Sequence, residues 1–144
     1  MKKRGFGVGL WNGVGGKVVP GESIPSAAHR EAFEEIGIRI VEAKQVALLH
    51  FYFPEDPGKK DWNQDVHVFL ITKWKGTPQE TEEMRPKWFG MTSLPFESMW
   101  PDDPFWLPKV LVKERIVGWF SFDDNNQVLD YKIKNVGKGA KISS

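Results

Sequence analysis

The chain contains no cysteine. Disulfides, thiol nucleophiles and cysteine-ligated zinc are excluded together, and the composition is compatible with a reducing compartment. Long apolar runs are missing too: nothing approaches the roughly eighteen consecutive apolar residues needed to span a bilayer. The charged start from Met1 to Arg4 runs into glycines rather than an apolar core segment, so no signal peptide is expected. An excess of one charge sign is also lacking. Twenty Lys and Arg against nineteen Asp and Glu leave a net charge of +1, without the basic stripe that holds nucleic acid. Neither nucleic acid nor a membrane is the expected partner.

What is present suits one ordinary domain: 144 residues, 40% hydrophobic and 27% charged. Seven tryptophans stand out, large planar side chains equally suited to a core and to stacking on a base. The expected organisation is one domain over residues 1–136 and a small, polar, flexible tail over 137–144. Lys17 to Val19 reads as a short strand broken by Pro20-Gly21. Ser23 is placed to cap a helix, Pro25 is tolerated in its first turn, and Gly37 stands where a left-handed cap closes one. Val46 to Phe53 and Asp65 to Trp74 are apolar on both faces, which predicts central strands covered on two sides. Lys87 to Gly90 reads as a further short strand. Pro95 to Pro108 is a turn leading into a helix that continues to about Glu114. Val117 to Phe122 and Val128 to Ile133 form a hairpin around Asp123 to Asn126. Interleaved helices and strands give an α/β (α+β) class, a mixed sheet between helices.

The sharpest chemical signal is Arg30-Glu31 followed by Glu34-Glu35. On a helix, positions i, i+3 and i+4 share a face, so three carboxylates crowd together and repel by a few tenths of a kcal/mol per pair. A hard divalent cation reverses that sign, and oxygen-only ligands suit Mg²⁺ or Mn²⁺ rather than zinc. A bare run of this kind also reads as a solvated acidic face. Two features bear on the choice: Gly15-Gly16 upstream lets backbone approach the same ion, and Glu22 lies within reach of Arg30 as an ion pair.

Gly16, Glu22, Arg30-Glu31, Ala32, Glu34-Glu35, Gly37 and Ile38 resemble the Nudix signature at every defined position. The resemblance implies a Nudix fold whose loop–helix–loop holds Mg²⁺, and hydrolysis of a nucleoside diphosphate linked to another moiety. It also implies roles: Glu31, Glu34 and Glu35 as metal ligands or base, a backbone carbonyl near Gly15-Gly16 assisting them, and Glu22 with Arg30 as a structural pair. A cytoplasmic location, with mitochondrial or nuclear fractions, goes with it. Lys2 to Gly7, Trp11-Asn12-Gly13, Glu83 to Pro86 with Trp88-Phe89, and Pro95 to Trp106 resemble the animal branch that hydrolyses oxidised purine nucleoside triphosphates such as 8-oxo-dGTP and 2-hydroxy-dATP. Release of the monophosphate and pyrophosphate, sanitising the nucleotide pool against DNA damage, is what that branch implies. Other readings are hydrolysis of a dinucleoside polyphosphate, ADP-ribose or capped RNA, or a nucleotide-binding module without catalysis.

Asp102-Asp103, flanked by Trp100, Phe105 and Trp106, carries information of its own. Two adjacent, partly desolvated carboxyls disfavour double ionisation, and a neutral carboxyl both donates and accepts, as reading a purine edge requires. The alternative is that both cap the following helix. The resemblance further implies Asn12 as an amide partner for the base, Trp100 as its stacking surface, and Phe6, Phe51, Phe53, Met84 and Trp106 as pocket lining. A strand-core role suits Phe51 and Phe53 nearly as well. Glu83 is an additional metal ligand or general base, or else a solvated loop acid; Lys2 is a phosphate contact. His29, His50 and His67 lack metal-ligand spacing.

The chain also departs from the family pattern. The family fold has a strand and turn ahead of the segment that begins here at Met1, about twenty residues by domain anatomy. An exposed sheet edge, or a strand supplied by another segment or subunit, is the corresponding expectation; without such a subunit, a monomer. The loop from Pro54 to Gln64 is longer than expected, Gln64 stands where an apolar residue is preferred, and Lys87 replaces a small uncharged one.

Overall fold

A computed structural model describes residues 1–4, 7–55 and 62–142. In chain order the elements are α1 (Ile24–Ile36), β1 (Arg39–Tyr52), β2 (Gln64–Lys75), a single 3₁₀ turn (Phe96–Ser98), α2 (Asp103–Leu111), β3 (Ile116–Phe122) and β4 (Val128–Asn135). The strands form one mixed sheet in the order β2-β1-β3-β4. β1 runs parallel to β3, with Ala47 opposite Ile116 and His50 opposite Trp119, while β4 is antiparallel to β3. The α+β class read from the sequence is the one observed. The chain divides into two compact units, Met1–Lys44 with Ile71–Trp100, and Gln45–Leu70 with Pro101–Ser144.

In the first unit, α1 starts and stops where its sequence dictates. The Ser23 hydroxyl accepts from the Ser26 N–H at 3.2 Å, proline occupies the first turn, and Gly37 closes the helix at φ 74 while its N–H donates to the Phe33 carbonyl. Ala32 and Ile36, four apart and so on one face, pack with Ile38, Ile40 and Met84, and with Val14, Ala43 and Ile71 around them. Lys2 forms an isolated antiparallel bridge with Met84, which brings the N-terminal segment onto this core. Two expected strands are absent. Lys17 to Val19 is irregular and half exposed, its Lys17 carbonyl taken by Arg30, and Lys87 to Gly90 is irregular with Trp88 at the surface. Both are apolar enough for a strand, but neither has a neighbouring strand to pair with among the described residues.

In the second unit, β3 is buried along most of its length, with Ile116, Val117, Phe120 and Phe122 all inside. Leu48, Val117 and Ile142 form one core cluster, with Trp119 and Val136 against it. Phe120 lies among aromatic rings, 5.9 Å from both Phe51 and Tyr131. Gly118 is required between Leu49 and Phe120, since a Cβ there would stand 3.1 Å from Leu49 Cδ2 and 3.0 Å from the Phe120 ring. The predicted hairpin between β3 and β4 is present. Asp123 Oδ1 accepts from the N–H groups of Asn125 and Gln127, and Asn126 takes φ 60, the left-handed conformation that asparagine tolerates.

Three expectations are corrected here. β2 is an edge strand, half-buried to exposed throughout, rather than a central one. Alternation along a strand reports what lies above and below it, not what lies beside it, so Val66, Val68 and Leu70 could not reveal the edge. The second helix begins at Asp103 and contains Pro108, so the proline expected to end the turn lies inside the helix, which stops at Leu111 rather than near Glu114. The tail expected to be flexible from residue 137 has Ile142 buried at 7% exposure.

Candidate active site

The first unit gathers most of the predicted chemistry around the start of α1. Arg30 is its hub and uses all five guanidinium N–H groups. Nε and Nη2 clasp the Glu22 carboxylate at 2.8 and 3.0 Å, and Nη2 also donates to the Lys17 carbonyl at 3.1 Å. Nη1 donates to Glu31 Oε1 at 2.8 Å and to Glu34 Oε2 at 3.1 Å. The loop ahead of the helix is thereby tied to it through a planar fork that a lysine cannot reproduce. Its partners push the Arg30 pKa up and, above all through the Arg30 hydrogen bonds, hold Glu22 below the ordinary carboxylate range.

Glu35 turns the other way, into the unit. It is 6% exposed, and its Oε2 accepts from the Gly15 N–H at 3.1 Å. Burial pushes its pKa up, the Gly15 N–H draws it down, and the charges of Glu31 and Glu83 push up while Lys2 pulls down. Glu31, Glu83, Lys2 and the Gly15 backbone therefore surround one buried carboxyl. Gly16 is packed against Glu31 so closely that any Cβ at position 16 would collide with the Glu31 carboxylate. That explains a glycine here by a close approach rather than by a turn.

Glu83 reaches the cluster on a loop fixed from both ends. Arg4 donates to its Oε1 from Nε at 2.9 Å and also from Nη2, and its pKa is held low chiefly by that hydrogen bond. The Thr81 hydroxyl donates to the Glu35 carbonyl at 2.7 Å and accepts the Glu83 N–H at 3.2 Å, bridging the end of α1 to the Glu83 loop. Thr81 carried no signal in the sequence, because a lone threonine in a polar stretch has no recognisable pattern. Arg4 was visible only as part of a basic run.

The expectation that Glu31, Glu34 and Glu35 form a single cage is not met: among the described residues no three His, Asp or Glu side chains stand together as a metal-holding group. Helical spacing fixes where the Cβ atoms point, and rotamers decide the rest. Glu34 swings outward onto Arg30 and is half exposed, while Glu31 and Glu35 flank the Gly15-Gly16 segment. The donor chemistry fits a hard divalent cation: carboxylate oxygens, one of them on a buried group, beside backbone that approaches without a Cβ.

The residues expected to handle the base fall into both units. In the first, Gly7 at φ 80 lies against Asn12 and Trp100; a Cβ there would be 3.2 Å from Asn12 Nδ2 and 3.1 Å from Trp100 Nε1. The Trp11 N–H donates to the Ser98 carbonyl at 2.8 Å, so the loop bearing Asn12 is hydrogen-bonded to the segment leading to Trp100. Met84, expected to line a pocket, is 3% exposed and packs with Ala32, Ile36, Ile38 and Ile40, next to its bridge to Lys2. Phe6 lies outside the described residues. In the second unit, Phe53 stacks on Phe122 at 4.7 Å with 8° between planes, and Phe51 lies 5.7 Å from the same ring. Phe51 is half-buried near the end of β1, and Phe53 is buried just past it.

Asp102 and Asp103 are buried at 3% and 7% exposure. Asp102 makes no side-chain cap to the helix it precedes; its Oδ2 accepts from Trp106 Nε1 at 2.8 Å instead. Burial pushes the Asp102 carboxyl up, against the opposing pull of hydrogen bonds from Trp106, its own backbone and Asp103. Trp106 is therefore a hydrogen-bonding partner of Asp102.

A family model described as the NUDIX domain matches residues 1–110. The chain is 44% identical over 136 residues to an oxidized purine nucleoside triphosphate hydrolase of Mus musculus, covering 94% of this chain and 85% of that one. It is 42% identical, with the same coverage, to the protein of that description from Danio rerio. Among solved structures, a MutT protein from Bacillus halodurans matches with TM-score 0.74 at 23% identity, covering 88% of this chain and 83% of that chain, a likeness of fold.

Proposed function

The chain belongs to the NUDIX domain family of pyrophosphohydrolases, and on that premise we propose that it hydrolyses oxidised purine nucleoside triphosphates to the monophosphate and pyrophosphate with Mg²⁺. Substrates of the 8-oxo-dGTP and 2-hydroxy-dATP type fit this reading, and their removal keeps damaged bases out of DNA. The observation that carries the substrate class is the buried pair Asp102 and Asp103, 3% and 7% exposed, with Trp106 Nε1 on one Asp102 oxygen and burial pushing the Asp102 carboxyl up. A neutral carboxyl would offer a donor and an acceptor to a purine edge, and an ionised one beside it acceptors only. A pair that can exchange these roles serves both oxidised guanine and oxidised adenine.

Glu31, Glu34, Glu35 and a backbone carbonyl at Gly15-Gly16 would hold the divalent ion used by this family. When bound, it neutralises the polyphosphate and acidifies a water for attack on phosphorus. Arg30 keeps the loop and α1 in register through Glu22 and the Lys17 carbonyl. Glu83, positioned by Arg4 and Thr81, adds a carboxylate from outside the helix. Lys2 supplies a cation for phosphate oxygens. The Asn12 amide bonds the base edge, and Trp100 stacks on the ring, a contact worth about 1–3 kcal/mol.

The test is turnover of 8-oxo-dGTP and dGTP with Mg²⁺ and with EDTA, reading the phosphate product. A kcat/KM at least about tenfold higher for the oxidised triphosphate, pyrophosphate as the co-product, and no turnover in EDTA are expected. Equal rates on the two triphosphates, or preferential cleavage of ADP-ribose or a dinucleoside polyphosphate, would overturn the substrate assignment.

A further inference from the structure

α1 has a second face that the hydrolytic chemistry does not use. Phe33 lies two residues from both Glu31 and Glu35, so it projects about 160° around the helix from each. With His29 one turn before it, Phe33 faces a hollow of about 340 Å³ lined also by Arg39, Ile40, Val41 and Lys75. Every one of these residues belongs to the first unit.

Two features of the hollow bear on what it could hold. Phe33 is 50% exposed and Val41 54% exposed, although Ala32 and Ile36 already supply the core-facing stripe of α1. The three titratable lining residues are His29, Arg39 and Lys75, and among the described residues no acidic one lines the hollow. The nearby Lys73 is paired with Glu42 at 3.6 Å. Among the described residues Arg39 has no carboxylate partner; its guanidinium lies over the Phe33 ring at 4.9 Å. An exposed aromatic ring with the two cations Arg39 and Lys75 beside it, and no carboxylate lining the hollow among the described residues, is complementary to a ligand of the opposite design.

We propose that this hollow is a binding site for a small organic anion: a flat apolar ring packed on Phe33 and Val41, with a phosphate or carboxylate held by Arg39, Lys75 and His29. The volume lies at the low end of small-molecule pockets and suits a ring system with one anionic group rather than a folded protein element. A nucleoside monophosphate and an aromatic carboxylate share this chemistry. The site stands apart from Glu31, Glu34 and Glu35, so it does not depend on the hydrolytic reading.

The experiment is NMR titration of the full chain with dGMP, with 2-naphthoate and with inorganic phosphate, followed at Phe33, Val41 and Arg39, repeated on Arg39→Gln and Lys75→Gln. Saturable shifts at these residues with dGMP or naphthoate, weakened at least about fivefold in each variant, are expected, with inorganic phosphate binding more weakly than either. A shift with dGMP alone identifies a nucleotide site, and one with naphthoate alone an aromatic-acid site. Absence of shifts with both ring-bearing anions at millimolar concentration overturns the proposal, as does binding that both variants leave unchanged. Both substitutions are at exposed rim positions outside the catalytic machinery, and each variant is expected to keep parental turnover, so loss of activity and loss of this site are separable.

Discussion

Two acidic side chains carry the most distinctive chemistry, and both are buried. Glu35 sits in a pocket of other charges, with the Gly15 N–H on one oxygen. Glu35→Gln keeps the shape and that hydrogen bond while removing the charge. Turnover is expected to fall about 10²–10⁴-fold, with nucleotide affinity within a few fold of the parent. Near-parental turnover in single-turnover assays would remove Glu35 from the chemistry. Asp102 offers a test through pH. Its native pKa is raised above the ordinary 3.8, so its favourable contribution is complete below that value and is lost as pH rises through the native pKa. Asp102→Asn keeps an acceptor for Trp106 Nε1 and cannot ionise. Relative to that variant, the parent is expected to lose stability as pH is raised from 3.8 to neutral. Urea midpoints across this range give the comparison, and parallel curves would mean that Asp102 ionises at no cost.

The carboxylate helix separates stability from function at neighbouring positions. Ser23 caps α1 through the Ser26 N–H and touches none of the acidic cluster. Ser23→Ala is expected to cost about 1 kcal/mol in chemical denaturation and to leave turnover unchanged. Gly16→Ala should do the reverse. It places a methyl group where the Glu31 carboxylate lies, so activity should fall at least about tenfold with little change in the denaturation midpoint, because that carboxylate is the far end of a flexible side chain and can move aside. Equal effects of both substitutions on stability would show that the Gly16 contact is ordinary packing. The helix itself was legible from the chain because its signals are local: a cap, an early proline, and a closing glycine. The cage was less so. Spacing placed Glu31, Glu34 and Glu35 on one side, but the competition between Arg30 and Gly15 for their oxygens sends them to different partners. The same limit appears at Met84, an expected pocket residue that is core, next to its bridge to Lys2, remote in sequence.

Across the whole chain, nearly balanced charge and a single mixed sheet frame both units. The C-terminal segment contributes to the second unit, since Ile142 is buried with Leu48 and Val117. Ile142→Ala is expected to lower stability by about 2 kcal/mol, measured by urea denaturation, and a change under 0.5 kcal/mol would show that the segment is merely laid on the surface. A small, polar tail reads as frayed because composition reports average behaviour, and one isoleucine among lysines, serines and glycines is outweighed. By itself the sequence determined the family signature, the caps and extent of α1, the β3–β4 hairpin and the Arg30–Glu22 pair. Each of these depends on residues a few positions apart, where backbone geometry leaves few arrangements. Only the tertiary structure decided that β2 lies at the edge, that Asp102 bonds Trp106 rather than capping α2, and that Thr81 joins Glu35 to Glu83. Those outcomes depend on which groups are brought together and shielded from water, and such neighbours are set by packing rather than by spacing along the chain.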